Sequence, residues 1–501
     1  MIKEERIFQA YYTKSEPIVD YMVSLLNLKG NETVFEPCAG DGVFIDPILE
    51  KHQNIRIDAY ELNELAYEKL NQKYSEFDSI NVKHTDTLAD IDLEFLCSMG
   101  AGKYDAVIAN PPYGAWRNIT DRKILKKRFN GFYAKESYSL FLYRSIEALK
   151  EGGKLVFIIP DTYLNLNMHK DIRKYILTKT KIKEIALFPS SYFPGVNFGY
   201  ANLSIIALEK CSIQSNCSDN VFKLIKGYKS VEELGNIKNE HHTILKIKQK
   251  NVLNNDGHIF LTNANPKITN CIKNSKFSIG DFCDCATGFY SGNDKDYLKV
   301  LSKEIRNSKR YDTVDKDKIT YDCSLKPLDG IKNGKIYVPI VKGGNVKYFK
   351  ADNWFMKWSD DLVNFYKKDK KARYQNSSFY FRKGIGVPMV SSSSITGVLM
   401  ENRLFDQSIV GVFPKDIDFI YYFLSFFNSP TCNKLIRTIN PSTNNSSNYI
   451  KRIPFIKPTD KQKEMITENI KQIIEQVKFS GDFDLNLESE NNKLIKEIYG
   501  F

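Results

Sequence analysis

Along the first half of the chain, short apolar runs alternate with stretches whose apolar residues recur every three or four positions. Thr33–Glu36, Arg56–Tyr60, Asn81–His84, Tyr104–Ala109, Lys154–Ile159 and Glu184–Phe188 read as strands. Glu64–Tyr74 and Ser139–Lys150 read as amphipathic helices between them. Alternation of this kind predicts a doubly wound, Rossmann-like α/β domain with a mostly parallel sheet. One more apolar run, Tyr200–Leu208, continues the pattern until the polar stretch Ser212–Asn220 breaks it. The first domain is expected to end between that stretch and about Asn254, and a division at 240/241 gives domains 1–240 and 241–501.

The second half has a different texture. It is richer in Asn, Ser, Lys and aromatic residues, its apolar runs are short, and glycine turns such as Lys342-Gly343-Gly344-Asn345 and Lys383-Gly384-Ile385-Gly386 interrupt them. This predicts a second, α+β domain. Asp460–Phe479 has helical periodicity and is expected to close it as a docking helix.

Composition narrows the function classes. A length of 501 residues suits two domains, and 42% hydrophobic residues suffice for real cores. No apolar run is long enough to cross a bilayer, and the first residues carry no apolar signal core, so a cytoplasmic protein without membrane partners is expected. The nine cysteines lack paired metal spacing, which predicts reduced thiols and no metal. The net charge of +12 fits a polyanionic partner, although a lysine-rich proteome would give the same surplus.

Two segments carry chemistry. Glu36-Pro37-Cys38-Ala39-Gly40-Asp41-Gly42-Val43-Phe44 follows a strand and opens a helix, at the sheet edge where open α/β folds bind ligands. Gly40 and Gly42 permit a sharp turn and close backbone approach. Glu61, followed by Leu62, ends the next strand and can accept ribose hydroxyls; Asp86 follows the third and can accept an adenine amine. No full G-x-G-x-x-G array is present, which favours S-adenosylmethionine over NAD. A ligand-free turn would also use two glycines, but acidic residues ending the next two strands argue for the ligand.

The second segment is Asn110-Pro111-Pro112-Tyr113, directly after Tyr104–Ala109. The exocyclic amine of adenine is a poor nucleophile because its lone pair is delocalised into the ring. The Asn110 amide oxygen and the Pro111 carbonyl can accept its two hydrogens and stabilise the charge that develops on nitrogen. Proline holds these acceptors in place, and Tyr113 offers a ring for the target base to stack on.

In this order the motifs resemble the γ-class N6-adenine DNA methyltransferases. Tyr11-Tyr12-Thr13 is similar to that family's N-terminal motif, which implies cofactor contacts from Tyr11 and Thr13. Glu36 through Phe44 resemble its glycine motif, including Glu36 and Ala39, and Glu61, Asp86 and Asn110–Tyr113 match its ribose, adenine and catalytic positions. Phe188–Pro194 resembles the motif whose aromatic packs on the flipped adenine. Phe193 is the residue chosen for that role, with Tyr192 adjacent and a buried core phenylalanine as the competing reading. Thr287–Asn293 and Asn448–Pro454 look like elements of the family's DNA-recognition domains.

The resemblance implies S-adenosylmethionine as cofactor, double-stranded DNA as partner and a restriction–modification or phage-defence setting. It also implies a monomer with a separate restriction endonuclease, the chain itself being a methyltransferase alone. Base flipping needs phosphate contacts around the base. Arg117, Lys123 and Lys126 beside the tetrapeptide are candidates, as are Lys342, Arg382, Lys383 and Lys451 in the second domain; a solvated charged face is the competing reading. RNA or a glutamine amide in a protein are alternative substrates for the same acceptors. A non-enzymatic DNA-specificity subunit is a third reading, which the intact motifs oppose.

Overall fold

A computed structural model describes residues 15–100, 102–114, 119–193, 202–236, 241–262, 265–332, 334–391, 394–441 and 443–501. The chain forms two compact units, Met1–Ala264 and Asn265–Phe501.

The first unit is built on a nine-stranded sheet. Its strands are β1 (Thr33–Glu36), β2 (Arg56–Glu61), β3 (Ile80–His84), β4 (Tyr104–Ala109), β5 (Leu149–Pro160), β6 (Thr180–Phe188), β7 (Leu203–Lys210), β8 (Val221–Lys226) and β9 (Thr243–Lys248). They lie in the order β3-β2-β1-β4-β5-β7-β6-β8-β9. The first five run parallel, β7 lies antiparallel between β5 and β6, β8 is parallel to β6, and β9 is antiparallel to β8. Strands buried on both faces must be apolar almost throughout, as the Ala106–Ala109 run of β4 is. Side-chain caps fix the helices between them: Asn63 accepts from the Ala66 amide at 2.9 Å, and Asp90 from that of Leu93 at 2.9 Å. The sequence located β1 through β7, starting β5 and β6 late at Lys154 and Glu184, and did not place β8 or β9.

The two compact units divide at 264/265, where the sequence placed the division at 240/241. The segment after 240 supplies β9 and a helix, Gln249–Leu253, that bind into the first unit. Gln249 is fully buried and fully used. Its amide donates to Leu177 O (2.9 Å) and Thr180 O (2.7 Å), and its oxygen accepts from Ile182 N and Asn220 Nδ2, both at 3.1 Å. Buried Arg173 likewise donates to Gly257 O and to the carbonyls of Tyr163 and Leu166. A polar sequence here marks buried clamps, where the reading by hydropathy expected the first domain to end.

The second unit holds two four-stranded sheets. One contains Cys283–Thr287, Ile409–Pro414, Gly384–Pro388 and Val398–Met400 in spatial order; the other contains Leu298–Val300, Trp354–Lys357, Tyr337–Val341 and Leu404–Phe405. Its core is largely aromatic, with Trp358 among Phe289, Tyr366, Tyr380 and Phe381. The docking helix spans Asp460–Ser480, opened by a Thr459/Gln462 capping box and closed at Gly481 with φ 78°. A further helix, Leu485–Tyr499, follows that the sequence reading did not separate. Among the described residues, no helix is long and apolar enough to cross a membrane.

Candidate active site

The parallel order β3-β2-β1-β4 brings four strand ends to one sheet edge. With them come Glu36, Glu61, Asp86 and Asn110. The turn after β1 carries positive φ at Gly40 (54°) and Gly42 (71°), a region L side chains rarely adopt. A Cβ at Gly42 would meet Leu70 Cδ1 at 2.5 Å, so glycine is also required by packing there.

Cross-bonds hold this edge together. The Glu61 carboxylate accepts from Gly40 N (2.7 Å) and Asn63 N (2.6 Å), so the end of β2 grips the glycine turn. Ala39 N donates to Tyr60 O at 2.9 Å, and the Thr87 hydroxyl donates to Pro37 O at 2.5 Å, adding the segment after β3. Asp86 is half-buried and accepts from Leu88 N at 3.1 Å; Leu62 lies at the surface. Glu36 is 2% exposed. Burial, and then the neighbouring charge of Glu61, push its carboxyl well above the ordinary carboxylate range. Burial also raises Glu61, against the backbone N–H groups that lower it.

At the end of β4, Asn110 and Pro112 are half-buried and Pro111 is buried. Ser137 Oγ donates to Pro112 O at 3.0 Å and so fixes the tetrapeptide from the start of helix Tyr138–Ala148. Tyr113 is 4% exposed and donates its hydroxyl to Ile158 O of β5 at 3.2 Å. Phe193 is 1% exposed and lies in the core. Neither ring expected to stack on a base is an open platform here: each is inside the hydrophobic core.

Sequence reasoning missed two features of this edge. Asp161 directly follows β5, the neighbour of β4, and burial pushes its carboxyl up to about 6. The signal was a lone acid ending the run Leu155–Pro160. Behind the tetrapeptide, buried His169 Nε2 lies 2.9 Å from both Tyr138 Oη and Glu136 Oε2. These residues are separated by up to 33 positions, and no local pattern joins them.

The expected phosphate contacts divide into two groups. Lys123, Lys126 and Lys451 are exposed. Lys342 is occupied by Asp294 (3.0 Å) and Asp406 (3.4 Å), Lys383 lies 3.7 Å from Glu401 and over the Tyr421 ring, and Arg382 lies over Phe379 and Phe413. Tyr11, Thr13 and Arg117 lie outside the described residues.

A sheet of this order, with a glycine turn after β1, an acid ending β2 and another just after β3, is a doubly wound, Rossmann-like α/β methyltransferase fold. Residues 22–193 match the family described as Eco57I restriction-modification methylase. The type II methyltransferase M.AccI of Acinetobacter calcoaceticus is 27% identical over 259 residues, covering 50% of this chain and 45% of that protein. The adenine-specific methyltransferase BrxX of Escherichia coli O9:H4 is 24% identical over 414 residues, 79% of this chain and 31% of BrxX. The chain thus spans less than half the length of these relatives. Among solved structures, DrdV in complex with DNA aligns with a TM-score of 0.54 at 14% identity, over 94% of this chain and 57% of DrdV. That likeness extends the shared fold across both units.

Proposed function

We propose that the chain is a site-specific DNA methyltransferase that methylates the N6 amine of adenine, in a restriction–modification or defence setting. The observation that carries this reading is the position of Asn110-Pro111-Pro112-Tyr113: it ends β4, beside the glycine turn of β1 and the acidic end of β2. M.AccI and BrxX, as their names state, are methyltransferases, the latter adenine-specific.

The residues fit S-adenosylmethionine. Two neighbouring carboxylates, Glu36 and Glu61, are held in a buried setting that penalises their charge. A cationic, hydroxyl-rich ligand relieves that penalty, whereas an anionic dinucleotide would deepen it. Glu61 would hold ribose hydroxyls and Asp86 the adenine amine, with Tyr11, Thr13, Ala39 and the Gly40–Gly42 backbone around the ligand. When bound, the cofactor supplies an electrophilic sulfonium methyl. The chain's part is to make the amine nucleophilic. The Asn110 amide oxygen and Pro111 carbonyl accept its hydrogens and stabilise the growing positive charge. Ser137 and Ile158 keep the tetrapeptide in position through Pro112 and Tyr113. For Tyr113 and Phe193 to stack on a flipped base, side chains now in the core must turn toward it.

Lys123, Lys126 and Lys451 would contact phosphates, and the second unit would read the sequence. The partners this implies are duplex DNA and a separate endonuclease. The test is transfer of labelled methyl groups to unmethylated genomic DNA, followed by single-molecule sequencing. Modified adenines confined to one short motif are expected. Methylcytosine in the product would overturn the mechanism. Absence of transfer by a cofactor-binding preparation would point to RNA or protein substrates.

A further inference from the structure

Away from the sheet edge just described, the β8–β9 connection gathers three metal-ligating side chains. Glu233 ends the short turn Val231–Glu233, and His241 and His242 precede β9. His241 Nε2 lies 3.0 Å from each Glu233 carboxylate oxygen, and His242 Nε2 lies 3.1 Å from Oε2. The candidate ligand atoms all lie within 4.8 Å of one another.

Both rings turn to the same carboxylate, with centroids 4.4 Å apart and planes tilted 33°. Each partner is also held from outside. Lys229 N donates to Glu233 Oε2 at 2.8 Å, and the His242 side chain is 0% exposed and packs on the Tyr228 ring at 5.1 Å. Such outer contacts orient ligands before an ion arrives. His241 and Glu233 remain 28% and 24% exposed, which leaves an entry path and room for water.

We propose that Glu233, His241 and His242 bind one divalent transition-metal ion of the zinc type, through two imidazole nitrogens and one carboxylate oxygen. Ligand atoms around tetrahedral zinc, with bonds of about 2.0–2.1 Å, are roughly 3.3 Å apart. The two His–Glu spacings, 3.0 and 3.1 Å, lie within a few tenths of an ångström of that value, and all the ligand atoms lie within 4.8 Å of one another. Water completes the coordination. Imidazole with carboxylate suits zinc and its neighbours, whereas calcium and magnesium require all-oxygen sets.

The ion's role is structural. It joins the Val231–Glu233 turn to the start of β9, and through His242 it braces Tyr228. The Tyr192 hydroxyl donates to Tyr228 O at 2.9 Å, so the same loop supports the Ser190–Tyr192 turn that leads into Phe193. The sequence reading expected no metal because it looked for paired cysteines with a second pair or a histidine cluster after them, and a His-His pair with a glutamate eight residues upstream lies outside that pattern.

The test uses the full chain, stripped with chelator and titrated with Co²⁺ and then Zn²⁺, followed by visible absorption and thermal melting. One equivalent of cobalt, displaced by zinc, and a zinc-dependent rise in Tm are expected. His241→Ala/His242→Ala should weaken binding at least 10-fold and abolish the rise, while His52→Ala should change neither. Glu233→Gln keeps the side chain's shape and serves as the variant least prone to misfold. With an unchanged circular dichroism spectrum it should still weaken binding about 10-fold. Binding by both variants equal to the wild type, or no cobalt bound by the folded wild type, would overturn the site.

Discussion

The two units bury their cores in different ways. The first uses aliphatic strands apolar on both faces, so that Ala106, Val107, Ile108 and Ala109 are all 0% exposed in one continuous run. The second packs aromatic residues drawn from distant points. Phe289, Trp358, Tyr366 and Tyr380 meet with ring centroids 5.0–6.2 Å apart. A parallel sheet leaves its strand ends together at one edge, and chemistry collects there. The second unit's short strands are mostly antiparallel, with one parallel pair between Tyr337–Val341 and Leu404–Phe405, and they do not gather successive strand ends at one edge.

The largest effect that would test this contrast is Trp358→Ala. Trp358 is 0% exposed, and its indole N–H donates to Pro327 O at 2.7 Å. Truncation should cost the second unit about 3–5 kcal/mol, read from denaturant unfolding by tyrosine fluorescence. A cost below about 1 kcal/mol would mean that the aromatic cluster is not this unit's keystone. At the other unit's edge, Asn110→Ala should slow methyl transfer by about 10²–10³-fold, as loss of one preorganised hydrogen-bonding group does. Cofactor affinity and Tm should hold. Retained transfer would remove the tetrapeptide from catalysis and leave the edge without a reaction.

How far the sequence could be read follows the same division. All six strands placed in the first core exist, because an uninterrupted run such as Tyr104–Ala109 has no other way to hide from water. The glycine turn, the acids after it and Asn110–Tyr113 were visible because each is local and ends a strand. The clamps made by Gln249 and Arg173 were not visible, since a polar residue satisfied inside the core has the same letter as one in solvent. For the same reason, sequence could not separate Lys342, half-buried and paired with two aspartates, from exposed Lys451. Ring placement was equally hidden: Phe193 and Tyr113 read as base platforms, and both are in the core.

Those two lysines sharpen the comparison within the second unit. The Lys342 side chain is 23% exposed, and Asp294 and Asp406 beside it are 17% and 5% exposed. Lys342→Met leaves half-buried Asp294 and buried Asp406 without the cation they share. The cost should be about 2 kcal/mol of stability, below the value for a fully buried pair because water still reaches the site. Lys451→Met should leave stability within about 0.5 kcal/mol and lower the salt dependence of DNA binding by about one counterion. The opposite pattern would make Lys342 the phosphate contact and Lys451 the structural one.

The smallest expected effect lies at the sheet edge and concerns what a site costs its own fold. Burial and the Glu61 charge raise the Glu36 carboxyl above its unfolded value near 4.5. Between those two values the folded chain holds a proton that the unfolded chain has released. Stability therefore falls as pH rises through that window, and the full penalty is present above it. Glu36→Gln removes the titration. The variant should melt higher than the wild type at neutral pH, and the gap should close as pH falls toward the unfolded carboxylate value. A gap that does not change with pH would mean that Glu36 titrates normally and that no penalty is stored at the edge. If the gap closes as expected and the same variant binds S-adenosylmethionine more weakly, the carboxylate costs stability in the free chain and serves the bound one.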